Sequence, residues 1–167
     1  MKGTDKFLIA IVAGVVILVA VAFVLTLTRA NAPQYQSEDT PQGVVHNYLV
    51  ALQMEEYERA RSYLSPTLAG YPTDTDQFAS DVDRAPYQFG QYHDDVSLAV
   101  ESANVQGDKA RVTVRKTVFY RGVLLDSGES SSTFDVTVRR EGVAWKITTA
   151  EEYWSPCWIA RSGVYCR

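Results

Sequence analysis

The sequence predicts an α+β chain: an N-terminal transmembrane helix, then short helices, then an antiparallel sheet of about four strands packed on those helices. Three observations carry the prediction. Residues 7–27, FLIAIVAGVVILVAVAFVLTL, hold no charged side chain. Residues 40–64 space their apolar side chains at helical intervals, and from residue 96 the period drops to two between turn residues. Helices followed by a run of strands is the α+β order, in which helices cover one face of a sheet.

The first stretch is long enough to cross a bilayer, since 21 helical residues rise about 30 Å. A backbone in lipid must satisfy its own hydrogen bonds, so a helix is the expected form. A cleaved signal is the competing reading, and Ala30-Asn31-Ala32 offers a small-residue site. Pro33 follows directly and suits a peptidase poorly, and signal cores are usually shorter than this run. Lys2 and Lys6 before the run outweigh Arg29 after it, which predicts a cytoplasmic N-terminus and a translocated remainder. The expected organisation is a cytoplasmic stub (1–6), a membrane helix (7–27), a polar linker (28–39) and an extracytoplasmic domain (40–167).

The chain carries 16 basic and 20 acidic residues; setting aside Lys2, Lys6, Arg29 and Asp5 leaves 13 and 19, a charge of −6. No basic block or stripe remains, which argues against a nucleic-acid surface. Cys157 and Cys166 form neither a CxxC nor a zinc pattern. In an oxidising compartment they read as one disulfide closing a small loop. Free thiols would imply a cytosolic domain and reverse the topology.

Asp39-Thr40-Pro41 reads as a helix start, a capping residue followed by proline at the first helical position. Val45, Tyr48, Leu49 and Leu52 then make one apolar face. A second short helix is expected over 56–64, ended by Ser65-Pro66. Residues 72–86, with Asp74, Asp76, Asp81 and Asp83, read as an acidic loop that holds a short helix around Phe78 to Val82.

Val96, Leu98 and Val100 begin the alternation, and Gln106-Gly107-Asp108 turns it. Ala110, Val112, Val114, Val118 and Tyr120 line one face of the next strand, interrupted by Lys116, which suggests an edge or a change of curvature. Residues 127–132 read as a flexible polar connection. Phe134, Val136 and Val138 open the third strand, Glu141-Gly142 turns it, and Val143, Trp145 and Ile147 answer on the fourth.

The segment TPQGVVHNYLVALQMEEYERARSYLSP (40–66) resembles the opening helices of secreted or membrane-anchored bacterial domains of the nuclear-transport-factor-2-like (NTF2-like) superfamily. FDVTVRREGVAWKIT (134–148) resembles their closing hairpin. The resemblance implies a cystatin-like curved sheet wrapping its helices into a cone. The acidic insert and the Cys-containing tail depart from that pattern.

The tail, YWSPCWIARSGVYCR (153–167), crowds Tyr153, Trp154, Trp158 and Tyr165 around the cysteines. Two readings stay open. The aromatics seal the end of the cone, or Tyr153, Trp154, Trp158, Arg161 and Tyr165 form a partner surface, since Trp, Tyr and Arg dominate interface hot spots. For catalysis the candidates are His46, Tyr92, His93, Asp94 and Asp95. Adjacent strand residues point to opposite faces, so 92–95 cannot all converge on one substrate. Two isolated histidines offer no HExxH spacing, and the aspartates lack the glycine and distal Glu of a calcium loop. No cofactor or metal site is expected.

These readings lead to a non-catalytic binding or assembly domain, an accessory subunit of a membrane complex with the bilayer and other envelope proteins as partners. The alternative is a small-molecule binder using the cone cavity, or a lyase- or isomerase-type enzyme.

Overall fold

The computed structural model describes residues 11–19, 21, 34–89, 95–121, 127–161 and 166. The chain divides into two compact units, Met1–Gln34 and Tyr35–Arg167. In the first, residues 11–19 and 21 are helical and exposed. Among the described residues no helix is long and apolar enough to cross a membrane. The expected single-pass membrane localisation is corrected accordingly. The rest of the expected 7–27 helix, the 1–6 stub and residues 28–33 lie outside the described residues.

The second unit begins at Tyr35, inside the stretch read as a linker. Gln36 explains why: its N–H donates to Asn47 Oδ1 (2.7 Å), and Asn47 Nδ2 donates back to the Gln36 carbonyl (2.9 Å). Asn47 is fully buried, so this reciprocal pair satisfies an amide that would otherwise cost free energy. Tyr35 is clamped as well, donating its hydroxyl to Glu56 (2.6 Å) beneath the Arg59 guanidinium, 3.2 Å from the ring centroid.

Helix α1 (Pro41–Gln53) starts where its cap predicts, with Thr40 Oγ1 accepting from the Gly43 N–H at 3.1 Å. Gly43 has a second reason to lack a side chain. A Cβ there would lie 1.8 Å from the Ser37 carbonyl oxygen. Helix α2 (Tyr57–Ser62) follows after a turn in which Glu55 adopts φ 56°. The short helix expected around Phe78 to Val82 is present and longer than read, a nine-residue helix, α3 (Thr75–Asp83). Asp74 caps it by accepting from the Gln77 N–H at 2.7 Å, and Phe78, Asp81 and Val82 make its buried face. Two of the aspartates that suggested a loop thus serve the helix, one at its end and one inside.

Four strands, β1 (Val96–Gln106), β2 (Lys109–Arg121), β3 (Ser127–Glu141) and β4 (Ala144–Ala150), pair antiparallel in the order β1-β2-β3-β4. The meander is as expected, with two corrections. Residues 127–132 are not a flexible connection but the first half of β3, paired with β2 from Ser127↔Arg121 to Ser132↔Lys116. Backbone pairing does not require apolar side chains, and a sheet face turned to water accepts a serine-rich strand. Val143 is not on the apolar face; it sits in the β3–β4 turn, 93% exposed. Register shifts at Val100/Ser102 and at Thr137/Val138 bend the sheet. Lys116, which broke the β2 pattern, belongs to an inner strand and pairs with Glu152.

The core lies between α1 and the inner sheet face. Val44, Val45, Tyr48 and Leu49 pack with Val112, Val114, Phe134, Val136, Val138 and Ile147, all nearly or wholly buried. Each such side chain contributes about 1.5–3 kcal/mol relative to exposure. The opposite sheet face is polar: Thr113 donates to Asp135 at 2.8 Å, and Arg115 pairs with Glu101. A parallel bridge, Leu64↔Ile147, and the Ser65 N–H to the Ile147 carbonyl (2.8 Å) tie the end of the helical layer to β4.

Two outcomes are expected. Thr40→Ala should lower unfolding free energy by about 1 kcal/mol in urea titrations, while Val143→Ser should leave it unchanged, because the first removes a cap and the second alters a solvated turn. Tyrosine titration followed by absorbance should be delayed. Burial holds Tyr48 well above the ordinary phenol value and, with Glu152 nearby, pushes Tyr153 up to about 12; burial and Glu56 do the same for Tyr35, also to about 12. A raised folded-state value means stability that is complete below about pH 10 and is lost as pH rises through the folded values. Alkaline unfolding should therefore accompany ionisation of these phenols.

Candidate functional site

The C-terminal tail is the piece around which the site forms. After β4, Tyr153 takes φ 56°, and its N–H donates to the Gln88 carbonyl at 3.0 Å. Ser155 then starts a 3₁₀ turn, Pro156–Trp158, with its hydroxyl accepting from the Cys157 N–H at 3.3 Å. The turn drives Trp158 into the protein. Its ring stacks on Phe78 (centroids 4.9 Å apart, planes 16°) and meets Trp154 (5.0 Å) and Phe89 (5.8 Å) edge-on. Phe134 and Tyr153 extend the cluster, and Tyr48 donates its hydroxyl to the Tyr153 carbonyl at 2.6 Å.

This packing answers the question left by the tail. Tyr153 (5%), Trp154 (3%) and Trp158 (0%) are buried, so they are not exposed surface; they belong to the core. Arg161 is partly exposed, and Tyr165 lies outside the described residues. Cys157 and Cys166 are joined as a disulfide, with Cα atoms 5.4 Å apart. Of the catalytic candidates, His46 is half-buried on α1, Asp95 precedes β1, and Tyr92, His93 and Asp94 lie outside the described residues.

Trp158 needs a partner for its indole N–H, and α3 supplies one. Asp81, 1% exposed, accepts from Trp158 Nε1 at 2.9 Å and from Arg161 Nη2 at 3.0 Å. Both donors converge on one oxygen, Oδ2. A buried carboxylate requires a counter-charge, and Arg161 provides it from the tail. Two buried nitrogens near this cluster, Trp154 Nε1 and Arg161 Nε, have no hydrogen-bond partner among the described residues.

Beside this cluster lies a cleft of ≈ 410 Å³. One wall is the end of α3 and the segment after it, Asp81 and Arg84 through Gln88. The other is Ser155, Pro156 and the Cys157–Cys166 bond. Its lining is largely apolar, with the Asp81 carboxylate as its buried charged group, and its volume falls within the range of small-molecule sites. A larger concavity, ≈ 620 Å³, opens beside α2 between Glu55, Glu58 and Thr75. Its acidic residues face solvent, as a solvated helix end does. Among the described residues no group of three or more His, Cys, Asp or Glu side chains could hold a metal ion.

No protein-family model matches the chain, and no curated protein matches it by sequence. Solved structures do. A SEC-C motif protein from Rhodopseudomonas palustris is 18% identical with TM-score 0.49, covering 71% of this chain and 83% of that one. A candidate ketosteroid isomerase from Shewanella frigidimarina is 18% identical with TM-score 0.44, over 68% and 95% of the two chains. A candidate dehydratase of the NTF2-like family from Streptomyces avermitilis is 15% identical with TM-score 0.42, over 67% and 93%. Among the described residues of the second unit, three helices followed by a four-stranded antiparallel meander is the order expected from the opening and closing segments of the sequence. The expectation that the chain is not an enzyme is withdrawn, since two of these solved structures carry isomerase and dehydratase names.

Asp81→Ala should lower stability by about 1–3 kcal/mol, the cost of leaving the Trp158 N–H unsatisfied, with Arg161 free to turn to solvent. Chemical denaturation with tryptophan fluorescence would read both the loss and the changed surroundings of the indole.

Proposed function

We propose that this domain binds a small, largely apolar molecule in the 410 Å³ cleft between α3 and the disulfide-closed tail. The observation that carries this reading is a buried carboxylate in an apolar wall. Asp81 lines the cleft while both of its donors sit on Oδ2, and a polar acceptor set among apolar atoms is how such sites orient a ligand. The interior of the described fold is packed with aromatic rings, which favours a site at its flank rather than the cone cavity.

A second reading has its own support. A buried carboxylate that lines an apolar cleft, both of its hydrogen-bond donors among the described residues being on one oxygen, can take a proton from a bound molecule through the other. Isomerase- or lyase-type chemistry would use Asp81 as that base, with Arg161 and Trp158 holding the carboxylate in place. Neither His46 nor Asp95 lines this cleft.

A fragment screen by protein-observed NMR tests the binding reading. Apolar fragments bearing one hydrogen-bond donor should shift the amides of Ala85, Gln88, Ser155 and Cys157, and Ala85→Trp should abolish those shifts by filling the cleft. Shifts confined to other surfaces would overturn it. Asp81→Asn separates the two readings: binding retained with loss of proton transfer supports the base, and binding lost with no turnover of any bound compound removes it.

A further inference from the structure

We propose that the outer face of the sheet, at the β1–β2 turn end, holds a binding site for a doubly charged phosphate monoester, with Lys109 and Arg111 as its cationic donors. The residue order contains no basic block there; register assembles the site. Lys109 stands opposite Gln106 on one side and Arg139 on the other, and Arg139 stands opposite Lys146. Three cations from three strands thus form one cross-strand row. In the next row Arg111 lies between Asn104 and Thr137. Alternation puts both rows on the outer face, because Ala110, Val138 and Ile147 beside them are buried.

Folding gives no reason for such a row. Like charges directly opposite across a strand pair are destabilising, and this chain has more acidic than basic residues with which to avoid them. Two members of the row are engaged by the protein itself. Arg139 pairs with Glu141 at 2.9 Å, and the Lys146 ammonium donates to the Ser62 carbonyl at 2.6 Å. Lys109 is exposed and has no ion-pair partner among the described residues. Arg111, also exposed, has the Asp135 carboxylate at 3.6 Å, beyond hydrogen-bonding distance, while Asp135 accepts from Thr113 at 2.8 Å.

These two cations line a groove of ≈ 420 Å³ together with Asn104, Gln106, Ala110 and Thr137. Among its described lining residues none is acidic, and the neutral ones add amide and hydroxyl donors. A phosphate group calls for this set: cations for its charged oxygens, and N–H and O–H donors for the remaining lone pairs. The guanidinium can grip two oxygens as a fork, and the ammonium acts as a point charge. Two cations match the roughly two charges of a monoester, whereas a phosphodiester carries a single one. The volume lies within the range of small-molecule sites and leaves room for the esterified group. The groove shares no lining residue with the cleft at Asp81, so this proposal and the function proposed above stand or fall separately.

Titration of the full chain with glycerol 3-phosphate, followed by NMR of backbone and side-chain amides, is the test. Dimethyl phosphate, a diester with one charge, and sodium chloride at matched ionic strength are the comparison arms. Glycerol 3-phosphate should give saturating shifts centred on Asn104, Gln106, Lys109, Arg111 and Thr137, with affinity about tenfold above that for dimethyl phosphate. Lys109→Ala should weaken binding about tenfold and leave the thermal midpoint unchanged or slightly raised, since it removes a like charge facing Arg139. Lys109→Arg should restore most of the affinity. A merely structural lysine would not separate binding from stability in this way. Shifts no larger than those from sodium chloride, shifts spread over lysines and arginines elsewhere, or dimethyl phosphate bound as tightly would each overturn the site. So would a Lys109→Ala variant that binds as the parent does.

Discussion

One hydrogen bond, from the Trp158 indole to the Asp81 carboxylate, organises the second unit. Trp158 arrives from the end of the chain and completes an interior that the helices and sheet leave unfinished. Burying the Trp158 indole N–H without an acceptor would cost free energy, and α3 supplies one in a carboxylate that is itself 1% exposed. The carboxylate then requires a cation, and Arg161 comes from the same tail. Each requirement follows from the one before it, and together they hold α3 and the C-terminal segment side by side with a cleft between their outer edges.

The sheet divides labour between its faces. The inner face carries Val112, Val114, Val136 and Val138 against α1, and the outer face carries threonines, serines and ion pairs. Cross-strand neighbours such as Thr117 and Ser131, or Arg111 and Asp135, contribute a few tenths to about one kcal/mol each. Their combined effect is to keep the register in which Val112, Val114, Val136 and Val138 point inward, because a one-residue slip would invert both faces.

Much of this was legible in the residue order. The Thr40-Pro41 cap, the two-residue alternation and the Gly107 and Gly142 turns, both at positive φ, are local signals that the fold honours. The full length of α3 and the first half of β3 were obscured because aspartates and serines have poor intrinsic propensity, and tertiary context overrode it. The disulfide was readable from the closeness of the two cysteines. The Asp81–Trp158–Arg161 cluster was not, for it joins residues 77 and 80 positions apart, and nothing local marks one aspartate among four as the buried one. Its only trace was an apolar Phe78 and Val82 flanking Asp81 on a helical face. Burial likewise turned Trp154 and Trp158 from candidate surface into core.

The bulge in β1 bears on how this protein keeps to itself. Leu64 and Ser65 engage one margin of the sheet, at Ile147, but among the described residues no strand pairs with the far side of β1. On that side alternate residues of the eleven-residue strand present amides and carbonyls, a row that would invite a neighbouring copy to stack in fibrillar fashion. The irregularity between Val100 and Ser102 breaks that row near its middle. A straight intruding strand can bond to one half of the row or the other, never to both, and the template for aggregation is cut to half its length.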